Sequence, residues 1–198
     1  KFCQGFNPMT GEALVEQGAG KDRRPGYDFT QSAPKWISVL WSQADEEKRK
    51  AIEDAVRESA KAGVDALNEF GGMTRAGKAG AGFVGCNYAA ALYMDFTARP
   101  TEEEATGEEM IDPQLHVHTI IPNTVLCDDG KYRAVDGPTM MRLQGVMAET
   151  FHAHLAFELA KQGMTITNEK VAFDNKEIPE EAKEGFSRRS EQVEEAKE

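Results

Sequence analysis

The 198-residue sequence predicts an α+β fold, a central antiparallel β-sheet flanked by helices. Three observations carry this. Residues 27–33 ("YDFTQSA") and 112–123 ("DPQLHVHTIIPN") alternate apolar and polar positions with period two, as half-buried strands do. Residues 128–137 ("DDGKYRAVDG") hold the Asp-Gly signature of a hairpin turn between antiparallel neighbours. Residues 45–69 and 138–163 read as helices segregated from those strands, the first with apolar residues at helical spacing and the second closed by a glycine.

Taken in order, residues 1–24 are glycine-rich and broken, consistent with a short hairpin or loop around "ALVEQ" at 13–17. The strand at 27–33 meets Pro34. Ser32 as N-cap, with Pro34 near the first turn, opens a short helix through 35–42. Asp45 can cap a longer helix to about Glu69, whose apolar face is Ile52, Ala55, Val56, Ala60, Val64 and Leu67, and Gly71 and Gly72 stop it. A strand pair follows at 73–77 and 82–99, its glycines implying bends or close backbone approach. An acidic connecting loop at 101–112 leads to the histidine-bearing strand. After the hairpin at 128–137, a helix runs from Pro138 to Gly163. One more strand spans 164–173, and 179–198 is an exposed charged helix. The implied organisation is a core over residues 1–175 and a charged C-terminal helix over 176–198.

With 40% hydrophobic residues the chain can bury a sizeable core. No apolar run approaches ~18 residues, and "KFCQGFNP" is no charged-then-apolar leader, so neither a membrane span nor a signal peptide is expected. Cys3, Cys86 and Cys127 are an odd, scattered set without CxxC spacing, which points to reduced thiols in a cytoplasm rather than a disulfide frame or zinc ribbon. A net charge of −11 argues at first against nucleic acid. Its distribution changes that reading. Residues 101–112 hold six acidic and no basic residues, and 174–198 hold nine acidic against five basic, leaving a nearly neutral body with a basic cluster at Lys21, Arg23 and Arg24.

The four histidines fall into two His-x-His patterns. On a strand, His116 and His118 leave the same face one pleat repeat apart and can grip one ion, while Leu115, Val117 and Ile121 take the other parity and face a core. The competing reading is two satisfied histidines on a wet sheet face. On a helix, His152 and His154 diverge by about 200° and cannot share an ion, so they read as packing or surface residues.

"RPGYDFTQSAPKWISVLW", then "DPQLHVHTIIPN", "DGKYRAVDG" and "EGFSRRSEQVEEA", in this order and spacing, resemble the TrwC/TraI (MobF) family of conjugative relaxases over almost the whole chain. The resemblance implies a relaxase or HUH-endonuclease-like sheet that cuts one strand of plasmid DNA at a transfer origin. In the family a tyrosine attacks the scissile phosphate and stays linked to the 5′ end, beside a three-histidine site for a divalent metal. His116 and His118 match two of those ligands. Asp28 matches the acidic residue beside the metal that orients or deprotonates its neighbours, although the residues alone equally allow pairing with Arg23 or Arg24.

Three departures follow. The family's third ligand is a His in a pattern like "ALFNHDTSR", where "ALYMDFTAR" has Asp95; a two-histidine, one-carboxylate set still suits Mg²⁺ or Mn²⁺. The competing reading is a lost ligand, with Glu104 or Glu108 reaching in from the acidic loop. None of Tyr27, Tyr88, Tyr93 and Tyr132 matches the family nucleophile, which lies upstream of these residues; Tyr93, two residues from Asp95, is one substitute. Gln31 and Trp36 replace the usual Phe and Ser, and Trp36 could stack on a base or pack under the short helix.

The expected partner is single-stranded or hairpin DNA at a transfer origin, with conjugation accessory proteins as further partners and no membrane. Contacts to DNA are expected from Arg24, Lys35, Arg75 and Lys78, within a wider basic set of Lys21, Arg23, Arg99 and Arg133. A catalytically incomplete DNA-binding module of the same fold is the alternative. An iron-dependent oxygenase or cupin would also use His-x-His with a carboxylate, but "TIIPNTV" lacks the cupin Glu, and the usual His-x-Asp/Glu facial pattern is absent. No Gly-Lys-Ser/Thr phosphate loop is present, so ATP hydrolysis is not expected.

Overall fold

The computed structural model describes residues 1–102, 109–168 and 173–188. Their elements are β1 (Gly26–Ser32), α1 (Lys35–Gln43), α2 (Glu46–Gly71), β2 (Met73–Ala76), β3 (Gly82–Asn87), β4 (Ala91–Thr97), β5 (Thr101–Glu102), β6 (Glu109–Met110), β7 (Pro113–Pro122), β8 (Val125–Cys127) and β9 (Tyr132–Arg133). There follow α3 (Gly137–Arg142), α4 (Gln144–Lys161), β10 (Thr167–Asn168), β11 (Phe173–Asp174) and α5 (Glu180–Gly185). The mixture of helices and antiparallel sheets is α+β, as the sequence predicts. No helix of the described residues is long and apolar enough to cross a membrane.

The chain forms two compact units, Lys1–Thr30 with Ala60–Tyr93 and His118–Phe151, and Gln31–Ser59 with Met94–Val117 and His152–Glu198.

In the first unit the sheet β2-β3-β8-β9 is antiparallel throughout. Its core gathers Phe29, Leu67, Cys86, Tyr88, Ile121, Val125, Met140 and Met147. In the second unit the short hairpins β5-β6 and β10-β11 accompany α1 and α5. Trp36, Ile37, Ile52, Val56, Leu115, Leu155 and Leu159 are buried there, and the Trp36 ring meets Phe173 edge-on at 5.9 Å. Trp36 is thus a core residue and not a platform for a base.

Strand β7 is central in the sheet β1-β7-β4. Bonds from the Ala33 N–H to the Leu115 carbonyl (2.9 Å) and from the Asn123 N–H to the Pro25 carbonyl (3.0 Å) fix β1 and β7 as antiparallel. Along β7, Leu115, Val117, Thr119 and Ile121 are buried, while Gln114, His116, His118 and Ile120 face the other way, partly exposed. Beside the inner end of this ladder a Cβ on Gly26 would lie 2.5 Å from the Ile121 carbonyl oxygen, so the two backbones approach more closely than any side chain permits.

Several boundaries differ from the sequence reading. Ser32 does not cap α1: Pro34 holds the N-cap position without a side-chain bond, and the Ser32 carbonyl instead partners His152 Nε2 at 3.1 Å. The expected strand over 82–99 is broken at 88–90, because Tyr88 leaves the ladder. Its N–H donates to Asn68 Oδ1 (2.7 Å), and its buried hydroxyl contacts the carbonyls of Gly71 (2.7 Å) and Met73 (2.9 Å). The helix from 138 is two, α3 and α4, meeting at Leu143, with Asp136 capping the first through the Thr139 N–H at 3.3 Å. Gly163, at φ 82°, closes α4 as expected, passing the Met164 N–H back to the Leu159 carbonyl at 3.2 Å. The acidic loop is a β5-β6 hairpin at its ends, and the strand over 164–173 resolves into β10 and β11. Glu104 and Glu108, the part of that strand over 169–172 and the C-terminal helix beyond Arg188 lie outside the described residues.

Candidate metal centre

Period-two alternation puts His116 and His118 on the outward face of β7, each ring fixed through Nδ1. His116 Nδ1 lies 3.0 Å from the Gln114 carbonyl, an acceptor only, so this nitrogen is the donor and, in the neutral tautomer, Nε2 is the atom able to ligate a cation. His118 Nδ1 lies 3.1 and 2.9 Å from the two Asp28 oxygens, with the same consequence for its tautomer. A carboxylate behind an imidazole is the usual support of a metal-binding histidine, since it fixes the ring and makes the far nitrogen more basic. Asp28 reaches this position because it alternates with buried Phe29 on β1.

Strand β4 borders β7 and supplies the third group. One ligand atom each from Asp95, His116 and His118 lie within 4.8 Å of one another, a spacing that one cation can bridge. Asp95 Oδ1 accepts the N–H groups of Phe96 (2.7 Å) and Thr97 (3.1 Å) and the Thr97 hydroxyl (3.1 Å), which orients the carboxylate. Burial pushes its pKa up, but these bonds and the nearby His116 outweigh it and hold the group below the usual carboxylate range. Two imidazoles and an ionised, pre-oriented carboxylate fit a divalent cation.

The tyrosines differ sharply. Tyr88 is buried, and burial raises its hydroxyl pKa well above the ordinary value. Tyr27 packs against Gly137, whose absent Cβ makes room for the phenol oxygen. Tyr93 is 62% exposed, on the same face of β4 as Asp95.

Of the basic residues singled out in the sequence, Arg75 pairs with the buried carboxylate of Asp136 at 2.8 Å yet remains mostly exposed. It lines a concavity of about 530 Å³ in the first unit, together with Arg23, Lys131 and Arg133 and the turn at Gly77 and Gly80. Lys131 was not legible as a candidate. Its only sequence signal is its place after the Asp-Gly turn, and it reaches Glu16 at 2.8 Å. Arg24 is exposed, its guanidinium 5.3 Å from the Tyr27 ring centre, and Lys78 is exposed in the turn after β2. Lys35 is held differently: its ammonium donates to the Pro113 carbonyl at 3.1 Å, and burial lowers its pKa against the opposing pull of Asp112.

The sequence profile of the TrwC relaxase family matches residues 1–198. The chain belongs to this family. It is 26% identical over 210 residues to the multifunctional conjugation protein TraI of Escherichia coli (strain K12), over 99% of this chain and 11% of that protein. Among solved structures the relaxase fold is similar to conjugative relaxase TrwC in complex with oriT DNA without metal, at 28% identity and TM-score 0.75, covering 98% of this chain and 64% of that one. TrwC with a 27-mer DNA comprising the recognition hairpin and the cleavage site gives 28% identity, TM-score 0.74 and coverages of 98% and 66%. A metal-bound TrwC complex with oriT DNA gives 27%, 0.72, 98% and 64%. The chain therefore spans about a tenth of TraI and somewhat under two thirds of these TrwC chains.

Proposed function

We propose that this chain is the metal-bearing part of a conjugative relaxase that nicks one strand of plasmid DNA at a transfer origin. The observation that carries the reading is the convergence of Asp95, His116 and His118, with Asp28 behind His118. In the reaction a tyrosine oxygen attacks phosphorus, the 3′ oxygen leaves, and the DNA stays joined to the enzyme through a 5′-phosphotyrosyl bond until the reverse step reseals it. Asp95, His116 and His118 would hold a divalent cation, Mg²⁺ or Mn²⁺ in view of the Asp95 carboxylate, which would supply neutralisation of the charge that develops on the phosphate. The residues of the chain do the remaining work. The β7 histidines and Asp95 set where the phosphate is held, and Asp28 keeps His118 in one tautomer and orientation. Arg75 and its neighbours in the concavity of the first unit, with Arg24 and Lys78, would follow the phosphate backbone of single-stranded or hairpin DNA, where Gly77 and Gly80 allow close approach.

The test is calorimetric titration of Mn²⁺ into the chain, repeated with His116→Ala and Asp95→Ala, followed by binding of an oriT hairpin oligonucleotide across a salt series. Binding of Mn²⁺ lost in both variants, with DNA affinity falling steeply in salt, is the expected result. A chain that holds DNA but no Mn²⁺ would be a DNA-binding module without chemistry, and Asp95→Ala leaving the affinity unchanged would remove Asp95 from the site.

A further inference from the structure

Cys86 on β3 and Cys127 on β8 stand 41 positions apart in sequence and directly opposite one another in the antiparallel register. Three hydrogen bonds define how. The Asp128 N–H donates to the Gly85 carbonyl at 2.9 Å, which makes the adjacent pair 85/128 the hydrogen-bonded one. The Cys86 N–H turns away from β8, to the Gly72 carbonyl (2.8 Å), and the Cys127 N–H turns away from β3, to the Lys131 carbonyl (2.9 Å). The two cysteines therefore form a non-hydrogen-bonded pair, where facing Cα atoms come within about 4.5 Å and side chains are closest. That is the short end of the separation a disulfide spans. Both thiols are free, both are buried, and both belong to the same hydrophobic cluster.

We infer that Cys86 and Cys127 are a reversible dithiol, closed to a disulfide by a small disulfide oxidant such as oxidised glutathione. One cysteine sulfur attacks a glutathione sulfur, releasing one reduced glutathione and leaving a mixed disulfide. The second cysteine sulfur then attacks the first, forming the S–S bond across the strands and releasing the second glutathione; the two protein thiol protons leave with the two glutathione thiols. Such a separation lies within the range a disulfide spans, so the bridge can close without moving the strands apart and be reopened by thiol exchange. Burial, with smaller contributions from Cys127 and Asp128, pushes the Cys86 thiol up to about 11, so at neutral pH closure is slow. The residues between the two cysteines include Asp95, His116 and His118, so oxidation ties together the ends of the segment that carries the whole ligand set.

The experiment incubates the chain with oxidised glutathione, then denatures it, alkylates the remaining thiols and maps the peptides by mass spectrometry. The expected result is a fall from three alkylated thiols to one, Cys3, or to none where Cys3 is glutathionylated. A peptide containing Cys86 should be joined to one containing Cys127, released by dithiothreitol and still formed in Cys3→Ser. Recovery of both Cys86 and Cys127 fully alkylated after oxidant has reacted with Cys3, or a bridge from Cys3 to either, would overturn the inference. Cys127→Ala, and separately Cys86→Ala, should each abolish the linked peptide, so that one variant failing to fold leaves the other decisive.

Discussion

The pattern His-x-His occurs on strand β7 at His116 and His118 and on helix α4 at His152 and His154. On the strand, the spacing of two returns both rings to one face, each is anchored through Nδ1, and Asp95 meets them from the adjoining strand. On the helix, the same spacing sends the rings apart. His154 Nδ1 lies 3.2 Å from the Ser59 hydroxyl on α2, while His152 Nε2 contacts the Ser32 carbonyl and its ring lies edge-on to Phe173. Identical letters thus bring two imidazoles together in one place and dock a helix in the other, and the backbone period decides which.

The contrast can be broken most forcefully at the ligands. His116→Ala or His118→Ala should weaken Mn²⁺ binding by more than about 100-fold, beyond what loss of a supporting residue costs, whereas His152→Ala and His154→Ala should leave the calorimetric isotherm unchanged. Equal losses from both pairs would erase the distinction. Asp28→Asn keeps the shape behind His118 but removes the charge, and should cost about 10–100-fold in the same titration. Asp95→His sharpens the comparison by making the ligand set all imidazole. Competition between Mn²⁺ and Zn²⁺ should then move toward Zn²⁺ on the order of tenfold, as softer nitrogen replaces hard oxygen. The smallest effect belongs to the helix: His154→Ala should lower stability by about 1 kcal/mol in urea unfolding, the worth of one partly buried hydrogen bond, with Mn²⁺ affinity intact.

Much of this was readable before any coordinates. The period of β7 and the apolar face of α2 depend on local spacing, which a sequence displays directly, whereas Asp95 came from the resemblance of "ALYMDFTAR" to the family pattern. The features that escaped depend on groups distant in the chain. The break after β3 follows from Asn68 and the carbonyls of Gly71 and Met73 capturing Tyr88, none of which marks 88–90 as irregular in the sequence. Lys35 looks like any other exposed cation until the Pro113 carbonyl receives it. Cys86 and Cys127 look unrelated by spacing and become partners only through strand register. Asp28 lay between, since its residue type allowed either an arginine or an imidazole partner, and its position on β1 selects His118.

The missing side chain at Gly26 reaches further than local fit. Because β1 and β7 touch backbone to backbone there, the gap between Asp28, two residues along, and His118 is governed by how closely two main chains can nest. A methyl group at position 26 would act as a wedge, prying the acid from the ring without altering either. The hold of Asp28 on the His118 ring is in this sense set by an atom that is not there.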